Sequence, residues 1–294
     1  MILLLLILLP AGALLGLYAF MFVLSLFYWY ESVNHPCPEI PAKRLSLPAM
    51  FVFAAHAAYG LLANMSAFIL HYASCFLPKR KKGGENGGSG SDSFPPVVCV
   101  HGLWHRAQGW FYMRRALAKA GFTRCFAFSY KSYKYTRPDE ICPLLEAAVL
   151  EAETRCPGQK PILVGHSLGG VIIRCWLAEP GNADRVQGVL TLGTPHRGSS
   201  LAALAFGTLG KSLRPSNPFF ADLAAREKDY PFPCVSLVTA CDEMVLPQAS
   251  LIPPGKNWQM RITPTCSHVG MIFRPAAMRM AVWELSRMVP EKNA

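Results

Sequence analysis

The stretch Pro161-Ile162-Leu163-Val164-Gly165-His166-Ser167-Leu168-Gly169-Gly170 restricts the fold of this 294-residue chain more than any other. Its apolar first half reads as a buried strand, and Val171 to Leu177 continues as a helix. Gly165, Ser167 and Gly169 between them satisfy the pattern G-x-S-x-G. Small residues flank the serine because a side chain there would collide with backbone in so tight a turn. Ser167 then sits at a helix N-terminus, where backbone N–H groups face an incoming anion. That geometry serves nucleophilic attack on an acyl carbon. The plainer alternative is a strand-to-helix turn whose serine caps the helix.

Strand and helix patterns alternate on either side of this turn. Strands are expected over 97–100, 125–128, 161–165, 186–192, 234–239 and 259–262, and helices over 109–120, 138–155 and 275–289. Such alternation predicts an α/β fold with a mostly parallel sheet covered on both faces. Residues 199–230 are irregular, apolar at first (Leu201, Leu204, Phe206) and turn-rich around Pro215 and Pro218. They read either as a plain crossover or as a small cap over the site.

Serine is a poor nucleophile at neutral pH and needs a base, which in turn needs a carboxylate to hold its tautomer. Two histidines follow Ser167 in the chain, His196 and His268. His268 lies between the last expected strand and the closing helix, at the end of a parallel sheet where sites form. It is the preferred base, with His196 as the alternative. Asp242 follows the strand at 234–239 directly and is the preferred acid, with Glu243 as the alternative. A tetrahedral intermediate also needs backbone donors. The N–H of Leu168 supplies one, and the N–H of Leu103, in His101-Gly102-Leu103-Trp104, supplies the other. Trp104 is expected at the wall of the acyl pocket, with plain packing as the alternative.

Three segments carry a resemblance. Val98-Cys99-Val100-His101-Gly102-Leu103, Val164-Gly165-His166-Ser167-Leu168-Gly169-Gly170 and Leu192-Gly193-Thr194-Pro195-His196-Arg197-Gly198-Ser199 resemble α/β-hydrolases of the lipase and acyl-esterase kind. The third segment is similar to a motif of bacterial triacylglycerol lipases and of acyltransferase and inositol-deacylase relatives. The resemblance implies a minimal sheet of roughly six strands, without the two edge strands of larger members. It implies Ser167 as nucleophile, Asp242 and His268 as partners in the order Ser-Asp-His, and Leu103 and Leu168 as oxyanion donors. It implies no cofactor, and no carboxylate set near His268 suits the calcium of some secreted lipases. Lipid or other acyl esters are the implied substrates. An acyltransferase with an alcohol acceptor would use the same residues, and a non-catalytic scaffold on the fold is the alternative of a different class.

The N-terminal part lies outside that resemblance. Residues 1–30 carry no charged side chain, and neither do residues 45–78. Both runs exceed the roughly 20 residues that cross a bilayer. The first ends in Phe27-Tyr28-Trp29-Tyr30, a cluster suited to the membrane–water boundary. A cleaved signal peptide is the alternative for the first run, though it lacks a basic start; a buried core helix is the alternative for the second. The expected organisation is a membrane anchor over 1–82 with helices at about 2–30 and 47–77, a Gly/Ser linker over 83–93 and a hydrolase domain over 94–294. Lys79-Arg80-Lys81-Lys82 places everything beyond it in the cytoplasm by the positive-inside rule. The formal charge of +11 comes without a basic stripe interleaved with aromatics, so anionic lipid headgroups fit it better than nucleic acid. The 10 cysteines include no CxxC pair and read as reduced small hydrophobes, with a Cys142–Cys156 bridge left open. Oligomeric state is not legible.

Overall fold

The structure is a computed structural model that describes residues 2–41, Gly60, Leu62, Ser66, Ile69 and 94–289. The strands β1 (Val97–Val100), β2 (Cys125–Ala127), β3 (Ile162–His166), β4 (Gly188–Leu192), β5 (Cys234–Val238) and β6 (Trp258–Ile262) build a single sheet. Its order is β2-β1-β3-β4-β5-β6, and every neighbouring pair is parallel. The chain therefore winds one way from β1 to β2 and the other way from β3 onward, and the direction reverses between β1 and β3. Sites in open parallel sheets form at that reversal, beyond the carboxyl ends of the strands. Ser167 directly follows β3 there, and His101-Gly102 directly follows β1.

The alternation of side chains along each strand explains why both faces are covered. Val98, Val100 and Leu163 point into one core, shared with apolar residues of α3 (Cys142–Arg155) and α4 (Leu168–Leu177). Val97, Cys99, Ile162 and Val164 point into the other, against α2 (Phe111–Lys119) and α7 (Pro275–Arg287). Strands buried on both sides read as continuous apolar runs, which is how they were recognisable. The expected strand boundaries agree with the observed ones to within two residues at each end, and the expected minimal sheet has six strands; the helix expected over 138–155 starts at Cys142, after a 3-10 turn at Pro138–Ile141. None of the nine described cysteines is in a disulfide, Cys142 and Cys156 included.

Residues 199–230 divide in two. Their first part makes a 3-10 turn at Ser200–Leu204 and the short helix α5 (Thr208–Lys211) near the site. Their second part is α6 (Pro218–Arg226), capped by Asn217, whose side chain accepts from the Phe219 N–H at 3.0 Å. Phe219, Phe220 and Leu223 of α6 enter the same core as α4. Only the first part is placed to cover anything.

The helix α1 spans Ile2–Asn34. Its last third packs on the sheet domain: Leu24, Ser25, Tyr28 and Ser32 are buried, with Tyr28 three or four residues from each of the others, hence on one helical face. Beyond it, Cys37 and Ile40 join Val238, Ala240 and Val245 in a small apolar cluster. The anchor expected over 1–82 is thus joined to the sheet domain at residues 24–40. Among the described residues no helix is long and apolar enough to cross a membrane. Many side chains of the first half of α1, nearly all of 47–77 and the linker over 83–93 lie outside the described residues. The two spans rest on sequence alone.

Candidate active site

The turn after β3 has the strain its sequence implies. Ser167 adopts φ 55° and ψ −125°, a conformation that costs an L-residue of order 1–3 kcal/mol. The turn is held because its N–H donates to the Leu192 carbonyl at 2.9 Å. A Cβ on Gly165 would come within 2.5 Å of the Gly170 nitrogen, and one on Gly169 would strike the Val100 carbonyl. Glycine at both places lets α4 start against β1 and β3, which aims the serine hydroxyl out over the sheet end.

The β1 loop meets the serine from the other side. A Cβ on Gly102 would lie 2.9 Å from the Ser167 Cβ, so only glycine lets the two loops touch. Tyr130 fixes this loop. Its hydroxyl donates to the His101 carbonyl at 2.8 Å and its N–H donates to His101 Nε2 at 3.2 Å. His101 Nε2 is thereby an acceptor, so its proton sits on Nδ1 and is donated to the Gly102 carbonyl at 2.8 Å. Burial pushes the His101 pKa down to about 3, so the ring stays neutral. Trp104 N–H donates to Ser132 Oγ at 3.0 Å, His105 N–H to the Gly102 carbonyl at 3.2 Å and Gly170 N–H to the Ser167 carbonyl at 3.0 Å. Among the described residues the N–H groups of Leu103 and Leu168 have no such acceptor. Both flank the Ser167–Gly102 contact.

His268 and Asp242 are brought together from the loops after β6 and β5. His268 Nδ1 lies 2.8 Å from Asp242 Oδ2 and 3.0 Å from Oδ1. The carboxylate is fully buried, and the N–H groups of Met244 and Val245 each donate to its Oδ1 at 3.0 Å. Those bonds hold it aimed at the ring. Burial acts to lower the His268 pKa, but the charge and hydrogen bond of Asp242, with the charge of Glu243, outweigh it and leave it raised. Gly193, with φ 55°, passes so close that a Cβ would lie 3.0 Å from His268 Nδ1 and 3.1 Å from Asp242 Oδ2.

The two alternatives sit elsewhere. His196 is buried against Trp258, with Nε2 3.1 Å from Ser236 Oγ, and burial followed by the Arg174 charge lowers its pKa. Glu243 lies behind the base, where its Oε2 accepts the His268 backbone N–H at 2.9 Å. Burial and then the Asp242 charge push its pKa up to about 7. Arg174 ties the arrangement together from α4. It forms a two-pronged pair with Glu227 at 2.7 Å on each oxygen and donates to the His196 carbonyl at 2.6 Å.

Ser167 and His268 open into one cavity of about 330 Å³. Its walls are apolar, with Leu103 and Trp104 from the β1 loop and Leu201 and Leu204 from the turn after β4. Trp104 is half-exposed, at φ 60°, and lines the cavity. Phe20 and Leu24 of α1 also line it, which sequence reasoning did not find. Tyr130 and Gly193 were likewise missed as site residues. No group of three or more His, Cys, Asp or Glu suited to a metal ion occurs among the described residues. A hydroxyl on a strained turn, an imidazole held by a buried carboxylate and two N–H groups around an apolar cavity are suited to acyl transfer through a covalent intermediate.

Solved structures share this architecture at low identity. Bacillus licheniformis lipase BlEst2 in mature form is 19% identical with a TM-score of 0.55, over 68% of this chain and 94% of that one. Aspergillus fumigatus lipase B is 18% identical with a TM-score of 0.59, over 71% and 56%. Paleococcus ferrophilus monoacylglycerol lipase is 18% identical with a TM-score of 0.51, over 66% and 96%. No curated protein matches the sequence. The model of the alpha/beta hydrolase family matches residues 97–291, two thirds of the chain, and the protein belongs to that family.

Proposed function

We propose that this protein is a membrane-anchored serine ester hydrolase that cleaves lipid or other acyl carboxylic esters through an acyl-enzyme on Ser167. The observation that carries the reading is the 2.8 Å contact between His268 Nδ1 and the buried Asp242 at the rim of a cavity shared with the strained Ser167. His268 takes the Ser167 proton as Oγ bonds to the acyl carbon. The carbonyl oxygen becomes an oxyanion that the Leu103 and Leu168 N–H groups receive. The ester C–O bond then breaks, and the leaving oxygen takes the proton back from His268. Water, giving its proton to His268, attacks the acyl-enzyme; the acyl C–Oγ bond breaks, His268 returns the proton to Ser167 Oγ, and the acid leaves. Trp104 and the apolar walls favour an acyl substituent over a charged one.

Membrane attachment is supported by the uncharged runs at 1–30 and 45–78; because Cys37 and Ile40 between them pack on the sheet domain, that segment and the domain share one side of the membrane, and Lys79-Arg80-Lys81-Lys82 supports the cytoplasmic side for both. Ser167→Ala should abolish both hydrolysis of p-nitrophenyl esters and labelling by a fluorophosphonate. A folded wild-type protein that shows neither property refutes the reading. Product analysis with added alcohol separates hydrolysis from acyl transfer.

A further inference from the structure

The helix α1 lies outside the 97–291 stretch that the family model matches, yet it takes part in the cavity. Phe20 and Leu24, one turn apart on α1, line it together with Ser167, His268 and Leu201. Leu24 is buried and packs against Leu201 of the turn after β4. The helix is fastened at this place. Tyr28, one turn beyond Leu24, donates through its hydroxyl to the Ala240 carbonyl and accepts from Gln248 Nε2 at 2.7 Å. Ala240 stands two residues before Asp242, so the bolt fixes α1 to the loop that carries the carboxylate. Tyr28 also packs with Cys241, Leu246 and Leu201. The wall is therefore held by side chains more than 200 residues away in sequence, not by the linker.

We infer that α1 is a wall of the substrate site, that the acyl arm of the ester lies between α1 and the Leu201–Leu204 turn, and that Phe20 and Leu24 set the arm's length. The inference deepens the serine-hydrolase reading and depends on it. Apolar side chains on both sides of that slot offer no partner to a charged or hydroxylated arm, and burying one there unpaired is costly. A hydrocarbon arm gains from leaving water. The two α1 residues stand at graded depth: Leu24 is buried, while Phe20 is 55% exposed at the mouth. A short arm ends before reaching Leu24, whereas a long one must pass it. A larger side chain at Leu24 shortens the slot and a smaller one lengthens it.

The test uses the full chain in mild detergent and fluorophosphonates with an ethyl, a decyl and a hexadecyl arm. The readout is the ratio between their second-order rates of labelling Ser167. Leu24→Trp should lower the decyl-to-ethyl ratio by about tenfold or more, the scale of a filled subsite. Leu24→Ala keeps the test decisive if the larger residue disturbs folding; it should leave the decyl rate standing while the hexadecyl probe gains relative to decyl. A decyl-to-ethyl ratio within about twofold of wild type in folded Leu24→Trp, or a hexadecyl-to-decyl ratio within about twofold of wild type in folded Leu24→Ala, overturns the inference and leaves the Ser167 reading intact. Failure of every probe to label wild-type protein overturns the serine reading itself.

Discussion

Glu243→Gln isolates one buried charge beside the proposed base. Glu243 is buried, its Oε2 accepts the His268 N–H, and its Oε1 has no hydrogen-bond partner. A glutamine keeps the acceptor and cannot ionise. The folded carboxyl titrates near 7, against 4.5 for an ordinary glutamate. Below pH 4.5 it is protonated in the folded and unfolded chain alike. Between 4.5 and 7 the unfolded chain releases the proton while the folded chain keeps it, so stability falls as pH rises and the loss is complete above 7. A tenfold change in proton affinity is worth about 1.4 kcal/mol, so the full loss is about 3 kcal/mol, most of it between pH 5 and pH 8. Other titrations are common to both proteins and largely cancel in the comparison. Urea unfolding followed by tryptophan fluorescence, run in mild detergent at both pH values, should show the variant gaining most of that on wild type from pH 5 to pH 8. A gap that stays constant, or that closes as pH rises, refutes the picture of a carboxyl kept neutral by burial. Activity separates the two carboxylates further, because Glu243→Gln should still turn over esters whereas Asp242→Asn should lose about 10⁴ in kcat.

The pH profile of kcat/KM should rise through a midpoint above 6.5, the ordinary histidine value, because His268 acts in its neutral form and its pKa is raised; a rise centred well below 6.5 contradicts the Asp242 contact. Gly193→Ala forces a side chain into positive φ and against the His268–Asp242 pair, and should cost about 1–2 kcal/mol of stability by urea unfolding while lowering kcat more than it raises KM. Arg174→Ala strands Glu227 and frees the His196 carbonyl, so a loss of about 3–5 kcal/mol is expected in the same unfolding assay.

The elbow, the sheet and the His268–Asp242 pair were legible because their determinants are local. A glycine forced by close backbone contact sits two residues either side of Ser167, and strands buried on both faces announce themselves as apolar runs. The choice of Asp242 over Glu243 followed from the strand end, and the structure puts the two carboxylates on different atoms of one histidine: the Asp242 side chain meets the ring and Glu243 the backbone N–H. Tyr130 was not legible, since it reaches His101 from 29 positions away and tyrosine in an aromatic stretch gives no sign of such a partner. The docked face of α1 was hidden for a related reason. Hydropathy averages a window, and the uncharged run hides Ser25 and Tyr28, with Ser32 just beyond it. Their spacing puts all three on one side of the helix, a polar stripe that marks a face turned toward protein rather than toward an apolar solvent.

That stripe alters what the N-terminal segment does to the chemistry. The loop bearing Asp242 is held from two directions. On one side Tyr28 engages Ala240. On the other, Ser199 Oγ donates to the Met244 carbonyl at 2.8 Å and accepts the Leu246 N–H at 3.2 Å, while Ser200 N–H donates to the Leu246 carbonyl at 2.7 Å. The carboxylate stays on the His268 ring only while the loop keeps this shape, because its other oxygen contacts are the N–H groups of Met244 and Val245 in the same loop. Ser199 belongs to the segment that begins the cavity wall, and Tyr28 to the helix that completes it. The acid, the acyl wall and the N-terminal helix are therefore one mechanical unit, and a change that loosens α1 reaches the proton relay through Ala240 before it reaches the sheet.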